Sequence, residues 1–577
     1  MQTTTMDTAF LEQVSRAADR HVADFLATHD DDDVQALAHR PAMARLLDLV
    51  TVFTETGSSF HLADRPGAAM GPCLDRLEAL QGPTGLFDGT NLCSPPDSAF
   101  TLNDVCLALR LIRRLAAPGP LLEEVDARLS AIVARSVDAM VAGGVHTPNH
   151  RWELCAALAQ VNLLQPRADI PPRIAQWLAE GIDQLPDGMY SERSPLYATA
   201  VTNPSLLTIA DCADRPELVD HVRRNLTAFL PWFNGDGTVE SVFSRRQDQW
   251  MAFGAAPFLH LYRRLAAQDG RPDFAAAAAW LARFPLHEPA KLLAIARLDP
   301  RLAGTGPAAP PPAAGVLSLP RALAPEEAAL ESCGVYRFRS GASVATVFGG
   351  CDPLVPGVGS GLATNPSFLR FGHGAALLSD VRLSRSFFDL GPFRSQRALR
   401  QDRSMVLSEE VQANFYQPLP PERVRADGVY ALEHEGRFSA AMEFSARPRD
   451  IHRLATEIVV QCDGGHVGLD IGFAGTQTAF ALELTFRPGG VLDGVERVGD
   501  AGTFRLVAGT GSYRVGNEVI EFGPGLPMDP DDPAGYNPGE SYRYLGGTNA
   551  AGGVKVYITG RTAGSHRFRF RGYTVPG

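Results

Sequence analysis

Two short polar clusters carry the residue types needed to pull a proton from a sugar. The first is His146-Thr-Pro-Asn149-His150-Arg151-Trp152-Glu153, and the second is Pro186-Asp187-Gly188-Met-Tyr190-Ser-Glu192-Arg193-Ser-Pro195-Leu-Tyr197. An amide that hydrogen-bonds a uronate carboxylate stabilises the charge developing on the enolate-like intermediate, which makes the neighbouring C5 proton more acidic. An imidazole or phenol nearby can take that proton and return one to the leaving oxygen. Asn149, His150, Tyr190 and Tyr197 are therefore the candidate catalytic groups. Arg151, Trp152, Glu192 and Arg193 stand beside them as candidate substrate contacts. Each also has a plain structural use: Asn149 is a good N-cap, His150 a first-turn surface residue, and tyrosines pack readily over helix ends.

A third cluster runs Asn234-Gly-Asp236-Gly-Thr-Val-Glu240-Ser-Val-Phe-Ser-Arg245-Arg246-Gln247-Asp248. It reads as a turn and a solvated helix start, which suits Asp236 and Asp248. Arg245, Arg246 and Gln247 could supply a local positive pocket for an acidic sugar. Such a pocket has to be local, because 53 Lys+Arg against 65 Asp+Glu gives a net charge of −12. That balance offers no global basic field to hold nucleic acid or an anionic membrane.

Later candidates are sparser. His373 and Tyr416 are substrate contacts if the edges that carry them face a glycan, and Arg394 ranks below them. Gly357-Val-Gly-Ser-Gly361 leads into an apolar strand without Lys-Ser/Thr, so it is not a phosphate loop. Asp529-Pro-Asp531-Asp532 is a lone acidic turn, and Asp30 to Asp33 reads as a solvated loop. No ligand spacing supports a metal site or a structural divalent cation, and the chemistry above requires no cofactor. The eight cysteines lack a CxxC pair and read as reduced, mostly buried thiols.

The elements that must position these residues change character along the chain. Up to about residue 300, apolar residues recur at steps of three and four: Phe10, Val14, Ala18, Val22, Phe25; then Leu102, Val105, Cys106, Leu109, Ile112; then Leu218, Val222, Leu226, Phe229. Helix starts are expected at Thr101, at Pro171-Pro172 and at Pro216. Ten to twelve such segments, several apolar on more than one side, suit the inner ring of an α/α barrel. Residues 304–315 are rich in Pro, Ala and Gly and read as a linker. Beyond it the period becomes two, with a hairpin over Val335–Phe348 and strands at Ala440–Phe444, Glu457–Gln461, Phe480–Phe486, Gly553–Ile558 and Arg567–Tyr573. The expected architecture is a multidomain α and β chain: an incomplete α/α toroid over 1–303, the linker, and an antiparallel β-sandwich over 316–577.

This layout, with Asn-His before one helix and Asp-Gly-x-Tyr-x-Glu-x-Ser-Pro-x-Tyr before a later one, resembles the heparinase II/III-like and alginate-lyase-like polysaccharide lyases. The resemblance implies that Asn149 neutralises the uronate carboxylate, that His150 assists or acts as base, and that Tyr197, ahead of Tyr190, protonates the leaving oxygen. The family's His-x-His-x-Asp run is replaced here by Gly361-Leu-Ala-Thr-Asn365, so the resemblance does not carry over a metal. The expected function is β-elimination on an acidic glycan, leaving a 4,5-unsaturated uronate. Alternatives are a toroid glycoside hydrolase drawing two carboxylates from Asp187, Glu192, Asp236 and Glu240, or a carbohydrate-binding protein without turnover. The first residues lack a basic, apolar leader, and no run of about 18 apolar residues follows, so a cytoplasmic protein without a membrane partner is expected. The sequence carries no signal for oligomeric state.

Overall fold

Wherever the apolar stripes repeat, helices form and bury them. In the computed structural model, which describes residues 6–28, 31–89, 92–304, 319–352, 365–433, 442–498, 502–528, 535–537 and 552–576, Thr8–Thr28 buries Phe10, Val14, Ala18 and Val22. Pro95–Ile112 buries Leu102, Val105, Cys106, Leu109 and Ile112, and Leu218–Phe229 buries Leu218, Val222, Leu226 and Phe229. One expected start is wrong. The helix through Cys106 begins at Pro95 and not at Thr101, because Ser94 accepts the Asp97 backbone N–H and two prolines occupy the first turn. Thr101 instead faces inward, its hydroxyl 2.7 Å from His39 Nδ1.

The first compact unit comprises residues 1–191, 195–239 and 253–323. Helices His39–Thr54, Pro95–Ile112, His150–Leu164 and Asn203–Cys212 each pack on the next, and each is backed by its successor in the chain: Asp64–Leu80, Gly119–Ala142, Ile170–Leu178 and Leu218–Phe229. Burial separates the two layers. His150–Leu164 is buried at every position from Trp152 to Val161, whereas Ile170–Leu178 buries only Ile170 and Ile174. Helices apolar on all sides belong inside and helices with one stripe belong outside. The result is an incomplete α/α toroid, within which Pro289–Leu298 packs on Thr8–Thr28, His39–Thr54 and Pro95–Ile112.

The second unit comprises residues 192–194, 240–252 and 324–577. Its eight-stranded sheet runs in the order Arg397–Gln401, Ser404–Tyr416, Arg449–Asp463, His466–Gly475, Ser565–Thr574, Glu518–Gly523, Gly511–Val515, Val491–Asp493. The nine-stranded sheet runs Glu496–Arg497, Thr503–Arg505, Val554–Arg561, Ala479–Phe486, Ala376–Arg385, Leu369–His373, Ser343–Phe348, Val335–Ser340, Glu327–Leu330. Among the described residues every strand pairing is antiparallel except that of Thr503–Arg505 with Val554–Arg561, which is parallel. Alternate residues of both sheets, among them Phe338, Leu369, Leu407, Ile458, Leu482 and Phe568, fill one apolar core between them. The Val335–Phe348 hairpin turns at Gly341, whose φ of +57° is the left-handed region glycine favours.

Three expectations need amendment. Residues 305–315 of the linker lie outside the described residues, as do 357–361, 361–364 and 529–532. The helical unit extends to Leu323, and it cedes Glu192–Ser194 and Glu240–Ala252 to the sandwich unit, which a contiguous division at 303 does not foresee. Of the strand expected over Ala440–Phe444, the described residues from Met442 on are not strand. Among the described residues no helix is long and apolar enough to cross a membrane. Cys73, Cys106, Cys155, Cys333 and Cys462 are buried, whereas Cys93 is exposed.

Candidate active site

Asn149 and His150 open the inner helix His150–Leu164 and are both buried, 2% and 7% exposed. His150 is thus not a first-turn surface residue. The Asn149 side chain does not cap its own helix either, although its carbonyl accepts the N–H groups of Trp152 at 3.1 Å and Glu153 at 3.3 Å. The His150 ring meets His146 edge-on at 4.9 Å between centroids and Phe100 edge-on at 6.1 Å. The next two residues turn elsewhere. Arg151 pairs with Glu180 at 2.7 Å and Asp183 at 3.3 Å and lies over the Trp152 ring, while the buried Trp152 donates its indole N–H to Asp183 at 3.3 Å. Both side chains are engaged in framework contacts.

The second cluster is held by a turn that closes at Gly188. Leu185 N–H donates to the Met189 carbonyl, and at a φ of +96° a side chain on Gly188 would meet the Arg224 carbonyl at 2.7 Å. Tyr190 then points inward. Its hydroxyl donates to Asn203 Oδ1 at 2.7 Å, Asn203 donates to Asn225 at 2.9 Å, and Asn225 donates to the Gly188 carbonyl at 3.1 Å. Burial pushes the Tyr190 phenol well above its ordinary range, so it stays protonated as a donor and does not serve as a base. Tyr197, by contrast, is half-buried at the end of the short Pro195–Tyr197 turn. That turn runs on as a π-helical turn, Ala198–Thr202, before Asn203–Cys212 resumes α geometry. Single π turns of this kind concentrate at functional sites.

Two buried or half-buried carboxylates bind these clusters together. Asp183 takes the Trp152 and Arg151 donors on Oδ1 and the Ser191 hydroxyl on Oδ2 at 2.5 Å, joining the Asn149-His150 helix to the loop that leads to Tyr197. Glu153 accepts from Asn103 Nδ2 at 2.7 Å and from Ser205 Oγ at 2.9 Å, joining the same helix to the one that follows Tyr197. Burial raises the Glu153 carboxyl. Neither residue was singled out from the sequence. The available signal was a carboxylate, an amide and a hydroxyl at core-facing positions of apolar helices, where polar groups must find partners.

In the second unit the remaining candidates are engaged in structure. Arg193, with a φ of +54°, donates to the Gly350 carbonyl at 2.9 Å and the Ser332 carbonyl at 3.2 Å. Arg245 forms a two-pronged pair with Asp352, and Arg246 lies 3.5 Å from Glu192. The expected positive pocket is therefore charge-paired, with Gln247 exposed beside it. Asp248 is buried, not solvated, and accepts the Ser194 hydroxyl at 2.7 Å, while Asp236 closes a turn with Thr238 as expected. His373 is held by Ser343 at 2.7 Å through Nδ1 and lies 3.1 Å from Glu518 through Nε2, both contacts within the sandwich. Tyr416 lies against Phe444 at 4.7 Å, its hydroxyl accepting from Asn414 at 3.3 Å; nothing here directs it to a ligand. The Arg394 backbone N–H donates to Glu409 at 3.2 Å.

Glu240 is unsuited to the general-acid role in the hydrolase alternative. Burial would raise its carboxyl, but Arg370 at 2.5 Å, Arg337 at 3.0 Å and two backbone N–H groups hold it down to about 2. A carboxylate so held cannot act as a general acid near neutrality. Among the described residues, no group of three or more His, Cys, Asp or Glu could hold a metal ion. Asn365 donates to the Gln249 carbonyl and accepts from Ser367 N–H.

No protein-family model matches the chain, and no curated protein matches it in sequence. Solved structures do. Heparinase III superposes with a TM-score of 0.51 at 11% identity, covering 92% of this chain and 77% of that one. A heparan sulfate lyase from Pedobacter heparinus (TM-score 0.44, 12% identity, covering 93% and 76%) and a Streptomyces coelicolor A3 chondroitin AC lyase in complex with chondroitin sulphate (0.39, 12%, covering 97% and 96%) follow at lower similarity. Identity this low speaks for architecture alone, and in architecture the chain has the fold of the heparinase II/III-like polysaccharide lyases.

Proposed function

We propose that this protein is a polysaccharide or oligosaccharide lyase that cleaves beside a uronic acid by β-elimination. Asn149 hydrogen-bonds the uronate carboxylate and stabilises the charge that grows as the C5–H bond breaks. His150 or Tyr197 takes the C5 proton. The electron pair closes the C4–C5 double bond, the C4–O bond breaks, and Tyr197 protonates the departing glycosidic oxygen. Tyr190 is relieved of this role and holds the loop.

One observation supports the reading: the inner helix that opens with Asn149 and His150 is tied through Asp183 to Ser191, six residues before Tyr197, and through Glu153 to Ser205, eight residues after it. Bracing of that kind is what holds separate groups to the geometry a single sugar ring requires. The test is incubation with a panel of uronic-acid glycans, reading ultraviolet absorbance of the conjugated uronate together with new reducing ends. A lyase raises both signals. Reducing ends without absorbance would mean hydrolysis, and neither signal would leave only binding.

A further inference from the structure

The row of side chains at His150 continues past the residues used so far. Phe100, on the neighbouring inner helix, is half-buried and meets the His150 ring with its edge. Over the face of Phe100, 3.9 Å from its centroid, lies the guanidinium of Arg40, from the first turn of His39–Thr54. Arg40 is tied through Nη2 to Asp97, which is 1% exposed, yet its own side chain remains 40% exposed. On the other flank His146 is exposed and edge-on to His150. All of these residues belong to the helical unit.

A guanidinium stacked on an aromatic face and anchored by one buried carboxylate loses little freedom on binding, and it keeps donors in a fixed fork for a further anion. We infer that Arg40 is a substrate-binding residue, which takes an anionic substituent of the glycan, carboxylate or sulfate, in a subsite beside His150. The inference rests on the reading of His150 as part of a glycan site and goes beyond it by naming the charge-reading group.

The test compares wild type, Arg40→Gln and Arg40→Lys on heparan sulfate, on the same polymer chemically desulfated, and on an unsulfated uronate polymer. For Arg40→Gln, KM rises about tenfold or more while kcat stays within about twofold, as loss of a charge-assisted hydrogen bond predicts. Arg40→Lys, which keeps a cation beside Asp97 but not the fork, falls in between. A penalty that vanishes on desulfated polymer assigns the substituent as sulfate, and one that persists assigns it as carboxylate. Unchanged KM in both variants, or a loss confined to kcat, overturns the inference. Should Arg40→Gln fail to fold by thermal melt, Arg40→Lys decides alone on the same criteria. If the wild type turns over no glycan, equilibrium binding of the same polymers is read instead: weaker binding by the variants keeps the inference while the lyase reading falls, and equal binding removes both.

Discussion

Tyr190 and Tyr197 lie seven residues apart in one motif and differ in what their hydroxyls can do. Tyr190 donates into a buried chain of amides, whereas Tyr197 is half-buried at the mouth of a π turn. Tyr197→Phe should therefore lower kcat by about 10²–10⁴, the range for losing a general acid or base, with the thermal midpoint retained. Tyr190→Phe should do the reverse, costing about 1–2 kcal/mol in denaturant unfolding by leaving Asn203 Oδ1 without this donor, while kcat changes little. A kcat collapse in the second variant with full activity in the first would reverse the assignment. At this scale the sequence made the chemistry legible but not its allocation. Asn149, His150 and the tyrosines stand out by type and spacing. Nothing in a local string reveals that Arg151, Arg193, Arg245 and Arg246 already have carboxylate or carbonyl partners, most of them more than 25 residues away.

Among elements, the braces matter more than the helices they join. Asp183 gathers an indole, a guanidinium and a hydroxyl from two segments. Asp183→Ala should free both, lowering kcat about ten- to a hundredfold through misplacement and stability by about 2–4 kcal/mol through three lost hydrogen bonds. Steady-state kinetics beside a urea titration separates the two effects, and unaltered kcat would show that the brace does not position the site. The helices themselves were legible, since stripes at three and four residues survive in any context. Their inner or outer placement was half legible, from apolar residues on several sides. The start at Pro95 was missed because Ser94-Pro-Pro-Asp97 reads as loop until its cap is seen. The same holds for Glu240, which sits in a polar stretch of the helical half and is nevertheless buried in the sandwich unit between Arg337 and Arg370. Its folded-state carboxyl lies near 2 against an ordinary 4.5, so the stability it contributes is present above about pH 4.5 and is lost as pH falls toward 2. Glu240→Ala should cost about 3–5 kcal/mol at neutral pH by removing the buried carboxylate that Arg337 and Arg370 share, and should flatten the acid limb of a melting-temperature profile.

At the scale of the whole molecule, the change from helical to alternating patterning announced two architectures, and both are present. The sequence could not announce that the division is interleaved, since membership of a unit depends on contacts made across more than a hundred residues. A fragment spanning 316–577 therefore lacks Glu192–Ser194 and Glu240–Ala252 and should not melt cooperatively by circular dichroism. Adding a synthetic peptide covering 240–252 should restore part of the transition, and a fragment that melts like the intact chain without it would contradict the interleaving.

The borrowed segment also sets a clock on the ribosome. Residues 240–252 leave the exit tunnel before the strands that hold Glu240, Val335–Ser340 through Arg337 and Leu369–His373 through Arg370. At about 5–20 residues per second the nascent chain has to wait roughly 6–25 s before both arginine partners of Glu240 have been made.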